Sequence, residues 1–432
     1  MLLMALRWRL QRVIWTVLVT TFLTVIAVAL ALNFRTPKTL ERKLEHKYAL
    51  SDPQFRREMG VLLGPAITSG NRVTDLENGE EIFPAMLHAI HSAQKTITFE
   101  TYIYWSGEIG KKFSNAFSER ARAGVKVDIT IDWLGGAKLD EAQLAEMKQA
   151  GAHVLLYRPL RWYNISRLNK RTHRKLLVVD GTVGFTGGVG IADTWAGRAQ
   201  DPDHWRDMHF RIEGPVVAQL QAAFNDNWIK TTGEVLNGAD HFPALAPTGS
   251  MDANMFMSSP TGGSESMRLM YLLVVAATEH SIDLSAAYFI PDALMVQALL
   301  AAWQRGVKIR ILMPGKHTDS EAVRLASKAT WGPLLAAGIE MYEYQPTMIH
   351  NKLLIADNAM VSVGSTNFDI RSFQLNDEAS LNVYDQTFST HMTAVFEDDL
   401  RKSKPYTYDM WKGRSWKEKA AEKFIVPIKS QL

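Results

Sequence analysis

Two stretches of the chain decide its fold because they carry the same pattern: 173-HRKLLVVDGTVGFTGG-188 and 350-HNKLLIADNAMVSVGSTN-367. In each, a lysine comes two residues after a histidine, and four residues separate that lysine from an aspartate. The apolar run between lysine and aspartate predicts a β-strand. Because successive side chains of a strand point to opposite faces, the histidine and the lysine share one face. Each copy therefore offers an imidazole beside an ammonium, a pair suited to binding an anion and reacting with it.

The two copies predict one catalytic set, because identical spacing in two places rarely arises by chance, whereas a single His-x-Lys is common. The predicted catalytic residues of the copies are His173, Lys175, Asp180, His350, Lys352 and Asp357. Within this set we interpret the role of the two aspartates as structural, since each would fix the turn after its motif strand. Small and polar residues close the copies, and we predict that three of them bind the substrate: Gly188, Ser365 and Asn367.

The rest of the chain repeats along with the motifs. Gly124 pairs with Gly306 and Gly151 with Gly338, at offsets of 182 and 187 residues, and the motif histidines are 177 residues apart. Alternating strand and helix patterns over residues 81–157 indicate an α/β fold with a largely parallel sheet. A period of this length predicts two homologous α/β units. If the units pack about a pseudo-twofold axis, the motifs meet at their interface.

Composition sets the predicted boundaries between segments. Residues 237–261 are rich in glycine, proline, alanine and serine, which is typical of a linker between domains. The predicted segments are a membrane anchor at 1–34, a connector at 35–70, a first domain at 71–245, a second domain at 246–400 and a basic tail at 401–432.

The amino-terminal stretch predicts a membrane anchor. Residues 13–34 carry no charge and follow three arginines, and they are long enough to cross a bilayer as one helix. A cleaved signal peptide is the alternative, because small alanines alternate within the stretch. We favour a retained single-pass anchor in the cell membrane, because the apolar run is longer than a usual signal core and basic residues follow it. The basic and aromatic tail lies on the membrane surface or forms a solvated terminal helix.

The duplicated motif resembles the signature of the phospholipase D superfamily. Further strings resemble bacterial cardiolipin synthases; they are 99-FETYIYW-105, 205-WRD-207, 212-IEGP-215, 288-YFIP-291 and 365-STNFDIRSF-373. The resemblance covers roughly residues 71–400. It implies two phospholipase D-type α/β/α domains in a pseudo-twofold arrangement, placed in the bacterial inner membrane. It also implies phosphatidyl transfer between two phosphatidylglycerol molecules with release of glycerol.

The chemistry implied by the motifs is attack of one imidazole on phosphorus while the other protonates the leaving alcohol. The lysines stabilise charge on the phosphate oxygens, with help from Asn367 and Ser365. In the family the amino-terminal histidine is the nucleophile, so we assign that role to His173, and the role of acid and then base to His350. A second alcohol or water resolves the phosphohistidine. The first copy has Gly190 where the family usually has an asparagine, so one donor to the phosphate is missing.

A catalytic imidazole also needs an orienting carboxylate on its far nitrogen. In the family such an acid follows each motif histidine in the sequence. Here Asp207 follows His173 by 34 residues, and Glu378 follows His350 by 28 residues. By resemblance, these two acids are the orienting carboxylates.

A basic stretch leads into the first motif. Residues 158–174 contain six arginines and lysines together with Trp162 and Tyr163, and no acid. The stretch is compatible with a solvated loop, with a rim that binds lipid headgroups, and with a site for a nucleic-acid backbone. Within it, we predict that Arg174 binds the substrate.

Composition narrows the functional alternatives. The 432 residues include no cysteine, which excludes disulfides, thiolate metal sites and a cysteine nucleophile. A net charge of +3 gives no general attraction to nucleic acid. The expected partners are an anionic phospholipid, phosphatidylglycerol, and the membrane; no cofactor, metal, nucleic acid or obligate protein partner is expected. The alternatives are a phospholipase D-type phosphodiesterase that hydrolyses phospholipid or nucleic acid, and an inactive lipid-binding scaffold.

Overall fold

The computed structural model describes residues 2–34, 40, 43–160, 169–260 and 265–426. The centre of the basic stretch, with Trp162 and Tyr163, lies outside these ranges, as do part of the connector, the end of the predicted linker and the last residues of the tail.

The helices and strands follow one another twice in a similar order. The amino-terminal helices are α1 (Leu2–Phe34) and α2 (Pro53–Leu62). The first half contains β1 (Thr68–Glu77), α3 (Asn78–Ser92), β2 (Thr96–Thr101), α4 (Glu108–Arg122), β3 (Lys126–Asp132), α5 (Glu141–Gln149), β4 (His153–Tyr157), β5 (Leu176–Val179), β6 (Val183–Gly187), β7 (Met208–Glu213) and α6 (Val217–Thr232). The second half contains β8 (Met251–Ser258), α7 (Ser266–Ala277), β9 (Ser281–Ala286), β10 (Phe289–Ile290), α8 (Ala293–Gln304), β11 (Lys308–Pro314), α9 (Glu321–Ala337), β12 (Glu340–Tyr344), β13 (Lys352–Ala356), β14 (Met360–Gly364), β15 (Phe368–Asp369), α10 (Ile370–Gln374), β16 (Glu378–Tyr384) and α11 (Gln386–Arg401). The tail contains β17 (Ser403–Pro405), α12 (Tyr408–Lys412) and α13 (Trp416–Ile425).

A continuous sheet of 15 strands forms the centre of the described part of the chain. Its strand order is β17-β12-β11-β9-β13-β14-β16-β8-β1-β7-β6-β5-β2-β3-β4. From the central pair β8 and β1 outward, corresponding strands of the two halves follow in the same order. The sheet therefore has a pseudo-twofold axis at its centre, which confirms the predicted pair of homologous α/β units.

The prediction of a largely parallel sheet is wrong. In the large sheet the parallel pairs are those within β2-β3-β4 and within β9-β11-β12. The motif strands β5 and β13 instead pair antiparallel with both neighbours. The reason is the short turn at each motif aspartate, which sends the chain back as the hairpin β5-β6 or β13-β14, and a hairpin joins antiparallel strands.

An apolar core that spans both halves fixes the two motifs relative to each other. It contains Phe210 and Phe224 from the first half and Val363 and Phe388 from the second, all buried. The rings of Phe210 and Phe388 pack edge to face, with centroids 6.4 Å apart. Because this core crosses the pseudo-twofold axis, the halves form one body.

The amino-terminal segments differ sharply in their exposure. In α1, Arg7–Ala31 forms 25 residues of mean hydropathy 2.5 with exposed side chains, the length and composition of a membrane-spanning helix. The connector is instead part of the fold, because Leu50, Phe55 and Met59 are buried in the core of the second half. The predicted linker also contains a strand, β8, beside the pseudo-twofold axis.

Candidate active site

The two motifs bring their histidines to the same place. The backbone N–H of His173 donates to the carbonyl oxygen of Asp377 at 2.9 Å, and that of His350 donates to the carbonyl oxygen of Arg206 at 2.7 Å. Each bond joins a motif to the opposite half of the molecule. As a result, the two imidazoles line a single cavity of about 250 Å³.

The motif lysines lie beside the histidines, as strand alternation requires. Lys175 donates from Nζ to the carbonyl oxygen of His173 at 2.9 Å, and Lys352 donates to that of His350 at 2.8 Å. The Nζ atom of Lys352 also lies 3.1 Å from both ring nitrogens of His350. Asn367 lines the cavity as well, and its buried Oδ1 atom has no hydrogen-bond partner among the described residues. The structure thus assembles both histidines, both lysines and Asn367.

The two predicted carboxylates are crossed between the halves. Nδ1 of His173 lies 3.1 Å from both carboxylate oxygens of Glu378, and Nδ1 of His350 lies 2.8 Å from Oδ2 of Asp207. Each acid therefore contacts the imidazole of the other half, not the one that it follows in the sequence. Since an ionised carboxylate only accepts, each imidazole carries its hydrogen on Nδ1 and keeps Nε2 for the cavity.

Two residues that were predicted to bind the substrate support these carboxylates instead. The hydroxyl of Ser365 donates to Oε2 of Glu378 at 2.5 Å. A Cβ atom at Gly188 would lie 2.2 Å from Oδ1 of Asp207, so glycine leaves room for that carboxylate. The indole N–H of Trp195 completes the support, because it donates to Oδ2 of Asp207 at 2.9 Å. The prediction of substrate contact is therefore corrected for Ser365 and Gly188.

The prediction that Arg174 binds the substrate is also wrong. Its guanidinium is buried and donates to the carbonyl oxygens of Ala223 at 2.7 Å and Ser258 at 3.0 Å. It also pairs with Asp226 at 3.0 Å. Arg174 stands between the motif histidine and lysine, so strand alternation points it to the opposite face, where it joins the two halves.

Replacing Arg174 by leucine is expected to lower the free energy of unfolding by about 3–5 kcal/mol, because it leaves buried carbonyl oxygens and a carboxylate without their cation. Urea unfolding of the full-length protein in detergent measures this change. The matched control is Arg122→Leu, which removes an arginine from an exposed pair with Glu146. Equal midpoints for the two variants would contradict the structural role of Arg174.

The motif aspartates lie at the far end of the motif strands, away from the cavity. The Asp180 carboxylate accepts hydrogen bonds of 2.7–2.9 Å from the backbone N–H groups of residues 94–96. The Asp357 carboxylate accepts bonds of 2.7–2.8 Å from residues 279 and 280, and one of 2.9 Å from residue 281. Both aspartates are thus occupied with fixing turns, in line with their structural interpretation, and neither is a reacting group.

Burial sets the charge state of the site. It lowers the pKa of His173 to about 4 and that of His350 to about 3, so both imidazoles are neutral at pH 7. Burial, together with the like charge of the partner lysine, lowers the pKa of Lys175 to about 7. For Asp207, burial acts to raise the pKa, but His350, the charge of Lys352 and the hydrogen bond from the backbone N–H of Met208 together outweigh it, and the net shift is downward. In the site, each neutral imidazole thus donates a hydrogen bond to an ionised carboxylate.

Aromatic residues that the sequence analysis did not assign pack around the histidines. The ring of Tyr102 lies 5.5 Å from that of His173, and the rings of Trp195 and Trp205 each lie 5.5 Å from that of His350. Ile103 and Trp195 together explain Gly190, because a Cβ atom there would lie 2.9 Å from Cβ of Ile103 and 3.1–3.2 Å from the indole of Trp195. The space beside the missing asparagine is therefore filled by these two side chains.

Further polar residues line the cavity. Arg171 belongs to the basic stretch for which a headgroup-binding rim was one interpretation, whereas the others had no predicted role: Tyr288, Asp319, Asp369, Arg371 and Asn376. Some of them lie in strings that resemble the family, at 288–291 and 365–373, which was the only signal for them. Among the described residues, no group of three or more histidine, aspartate or glutamate side chains is placed to hold a metal ion.

Comparisons with known proteins point to one family. The family described as "Cardiolipin synthase, PLD-like domain" matches residues 86–228 and 273–400. The chain is 34% identical over 346 residues to the major cardiolipin synthase ClsA of Bacillus subtilis (strain 168), covering 79% of this chain and 71% of that protein. It is 32% identical over 359 residues to the cardiolipin synthase of Geobacillus thermodenitrificans (strain NG80-2), covering 82% and 71%. In fold alone it is similar to the phosphatidylserine synthase of Haemophilus influenzae Rd KW20, with a TM-score of 0.67, 12% identity and coverage of 88% of this chain and 100% of that chain.

Proposed function

The chain belongs to the cardiolipin synthase family of phospholipase D-like proteins, and we propose that it joins two phosphatidylglycerol molecules into cardiolipin and releases glycerol. One observation carries this proposal: two neutral imidazoles, each held by a carboxylate of the opposite half, face one cavity beside two lysines. A phosphodiester in this cavity can be attacked from one side and protonated from the other.

In the first step, Nε2 of His173 attacks phosphorus, and the bond from phosphorus to the glycerol oxygen breaks. His350 gives a proton to that oxygen, and glycerol leaves. Because the pKa of His350 is low in the free site, this proton is taken up with the substrate, whose negative charge favours the imidazolium. Lys175 and Lys352 stabilise the charge that develops on the phosphate oxygens.

In the second step, the terminal hydroxyl of another phosphatidylglycerol attacks the phosphohistidine. Its proton passes to His350, an oxygen–phosphorus bond forms and the bond from phosphorus to His173 breaks. Glu378 stabilises His173 while that ring carries positive charge, and Asp207 does the same for His350. The cycle returns both imidazoles to their starting state.

Purified full-length protein in vesicles of phosphatidylglycerol tests the proposal. The expected products are cardiolipin and glycerol in equal amounts, measured by mass spectrometry and an enzymatic glycerol assay. Phosphatidic acid in place of cardiolipin would instead identify a hydrolase. Nuclease activity without lipid turnover would refute the lipid substrate.

We also propose that α1 is a retained single-pass anchor in the bacterial inner membrane. Its exposed apolar span over Arg7–Ala31 supports this, because that surface needs a nonpolar environment. The intact mass of the protein isolated from membranes is the test, since a cleaved signal peptide would remove this segment. The mirrored strand order likewise supports domains at 71–245 and 246–400, which meet at β1 and β8.

The rate is expected to fall on the alkaline side because the lysines lose their charge. Burial lowers the pKa of Lys175 to about 7 and that of Lys352 to about 8. In the free protein each of these lysine side chains is therefore charged below its pKa and neutral above it. The value of kcat/KM is therefore expected to decline as pH rises through about 7, where Lys175 loses its charge, and to fall further through about 8, where Lys352 loses its own. Because a bound phosphate favours the ammonium forms, kcat is expected to decline only at higher pH.

Lys175→Arg provides the control for this pH profile, since a guanidinium stays charged throughout the range. Its kcat/KM is expected to be lower at every pH, with the alkaline decline shifted upward. An alkaline decline at the same pH in both proteins would assign that decline to another group.

A further inference from the structure

The cavity contains a second cationic area that the two reaction steps do not use. It consists of the guanidinium groups of Arg171 and Arg371, and both line the same cavity as the motif histidines. Arg171 leads into the first motif, whereas Arg371 lies on the short helix α10 of the second half. The two halves therefore each supply one arginine.

Both guanidinium groups are held in position by oxygen atoms around them. Arg371 donates to the side-chain oxygen of Asn169 at 2.8 Å and to its backbone oxygen at 3.2 Å. Arg171 donates to the backbone oxygens of Lys170 and Arg158, both at 3.1 Å, and forms a buried ion pair with Asp132 at 3.4 Å. Fixed guanidinium groups of this kind suit the binding of phosphate oxygens.

The two arginines lie on the His173 side of the cavity. Both act electrostatically on the hydroxyl of Tyr102, whose ring packs 5.5 Å from that of His173. Within the described part of the chain, the Tyr102 hydroxyl makes no hydrogen bond, so it is available to donate to a ligand oxygen. Two guanidiniums and one hydroxyl thus form a group of donors next to the proposed nucleophile.

The two arginines add positive charge to that of the lysine pair, and Asp132, which pairs with Arg171, offsets part of it. Lys175 and Lys352 already match the phosphodiester that reacts. Burial raises the pKa of Asp369 to about 7, so its carboxyl group is only partly ionised at pH 7 and offsets only part of the arginine charge. Burial likewise raises the pKa of Asp319, which accepts a hydrogen bond from the hydroxyl of Tyr288.

We propose that Arg171, Arg371 and the Tyr102 hydroxyl bind the phosphodiester of the acceptor lipid. This inference rests on the proposed function and names the group by which the acceptor is recognised. When the terminal hydroxyl of the acceptor attacks phosphorus at His173, its own phosphodiester is three carbons away, within the reach of the same cavity. The subsite thus favours an anionic lipid over water or a neutral alcohol as the acceptor.

The test compares two acceptors, phosphatidylglycerol and glycerol, which react with the same phosphohistidine intermediate. Phosphatidylglycerol vesicles with labelled glycerol give cardiolipin when the lipid is the acceptor, and labelled phosphatidylglycerol when glycerol is the acceptor. The ratio of these products reports the recognition of the acceptor phosphate, because glycerol has none. Arg371→Gln is expected to lower the ratio of cardiolipin to labelled phosphatidylglycerol by roughly 10- to 100-fold, and Arg371→Lys by less.

Arg122→Gln is the matched control, because it removes the same charge from an exposed position. Its product ratio is expected to equal that of the unmodified protein. If Arg371→Gln leaves the ratio of cardiolipin to labelled phosphatidylglycerol unchanged, whether or not both products decrease, the subsite is overturned. Glycerol exchange without any cardiolipin from the unmodified protein would instead overturn the proposed function, and the subsite with it.

Discussion

His173→Asn is expected to abolish the covalent intermediate and to lower turnover by a factor of about 10⁴ or more, because among the described residues that line the cavity the one other histidine, His350, has the role of acid and base. His350→Asn is expected to reduce turnover by roughly 10²- to 10⁴-fold, the usual contribution of general acid–base catalysis. The two variants therefore differ in which step fails. One lacks the nucleophile, and the other lacks the group that moves protons.

A lipid with an acidic leaving group separates these roles. A phosphatidyl ester of p-nitrophenol needs no protonation of its leaving group, so His350→Asn is expected to release p-nitrophenol in a burst. The phosphatidyl group then accumulates on His173, since no base activates the acceptor. Acid quenching and peptide mass spectrometry locate the modified residue. A phosphatidyl group found on residue 350 of the unmodified protein would reverse the assignment.

The crossed carboxylates lead to the second large effect. Glu378→Gln is expected to resemble His173→Asn, with little intermediate, because Glu378 holds the nucleophile at 3.1 Å. Asp207→Asn is expected to resemble His350→Asn and to accumulate intermediate, because Asp207 holds the acid–base imidazole at 2.8 Å. A drop of about 10⁴-fold is the size expected when such a carboxylate is replaced by its amide.

The p-nitrophenyl burst measures this effect for each amide variant. If each carboxylate held the histidine of its own half, the result would be the opposite, with a burst in Glu378→Gln and none in Asp207→Asn. The experiment therefore tests the tertiary arrangement directly. Glu141→Gln, at an exposed position on α5, is the control and is expected to stay within about twofold of the unmodified protein.

The sequence alone determined the local structure and the identity of the central groups. The motif strands were predicted at 176–179 and 353–356, and they occur at Leu176–Val179 and Lys352–Ala356. Alternation along a strand is a local property, so the shared face of each histidine and lysine needed no tertiary information. The same rule points Arg174 to the other face, and the prediction for this residue failed because it followed charge instead of alternation.

The tertiary structure alone decided which distant groups meet. The crossed carboxylates depend on how the two halves close around the pseudo-twofold axis. The antiparallel pairing of each motif strand and the placement of Trp195 against Gly190 depend on packing between segments of the same half. Ser365 also shows the effect of contacts between segments. Its hydroxyl donates a hydrogen bond to Glu378, which lies on the neighbouring strand β16. Composition and spacing describe what one segment can do, whereas contacts between segments arise from the packing of a core that both halves share.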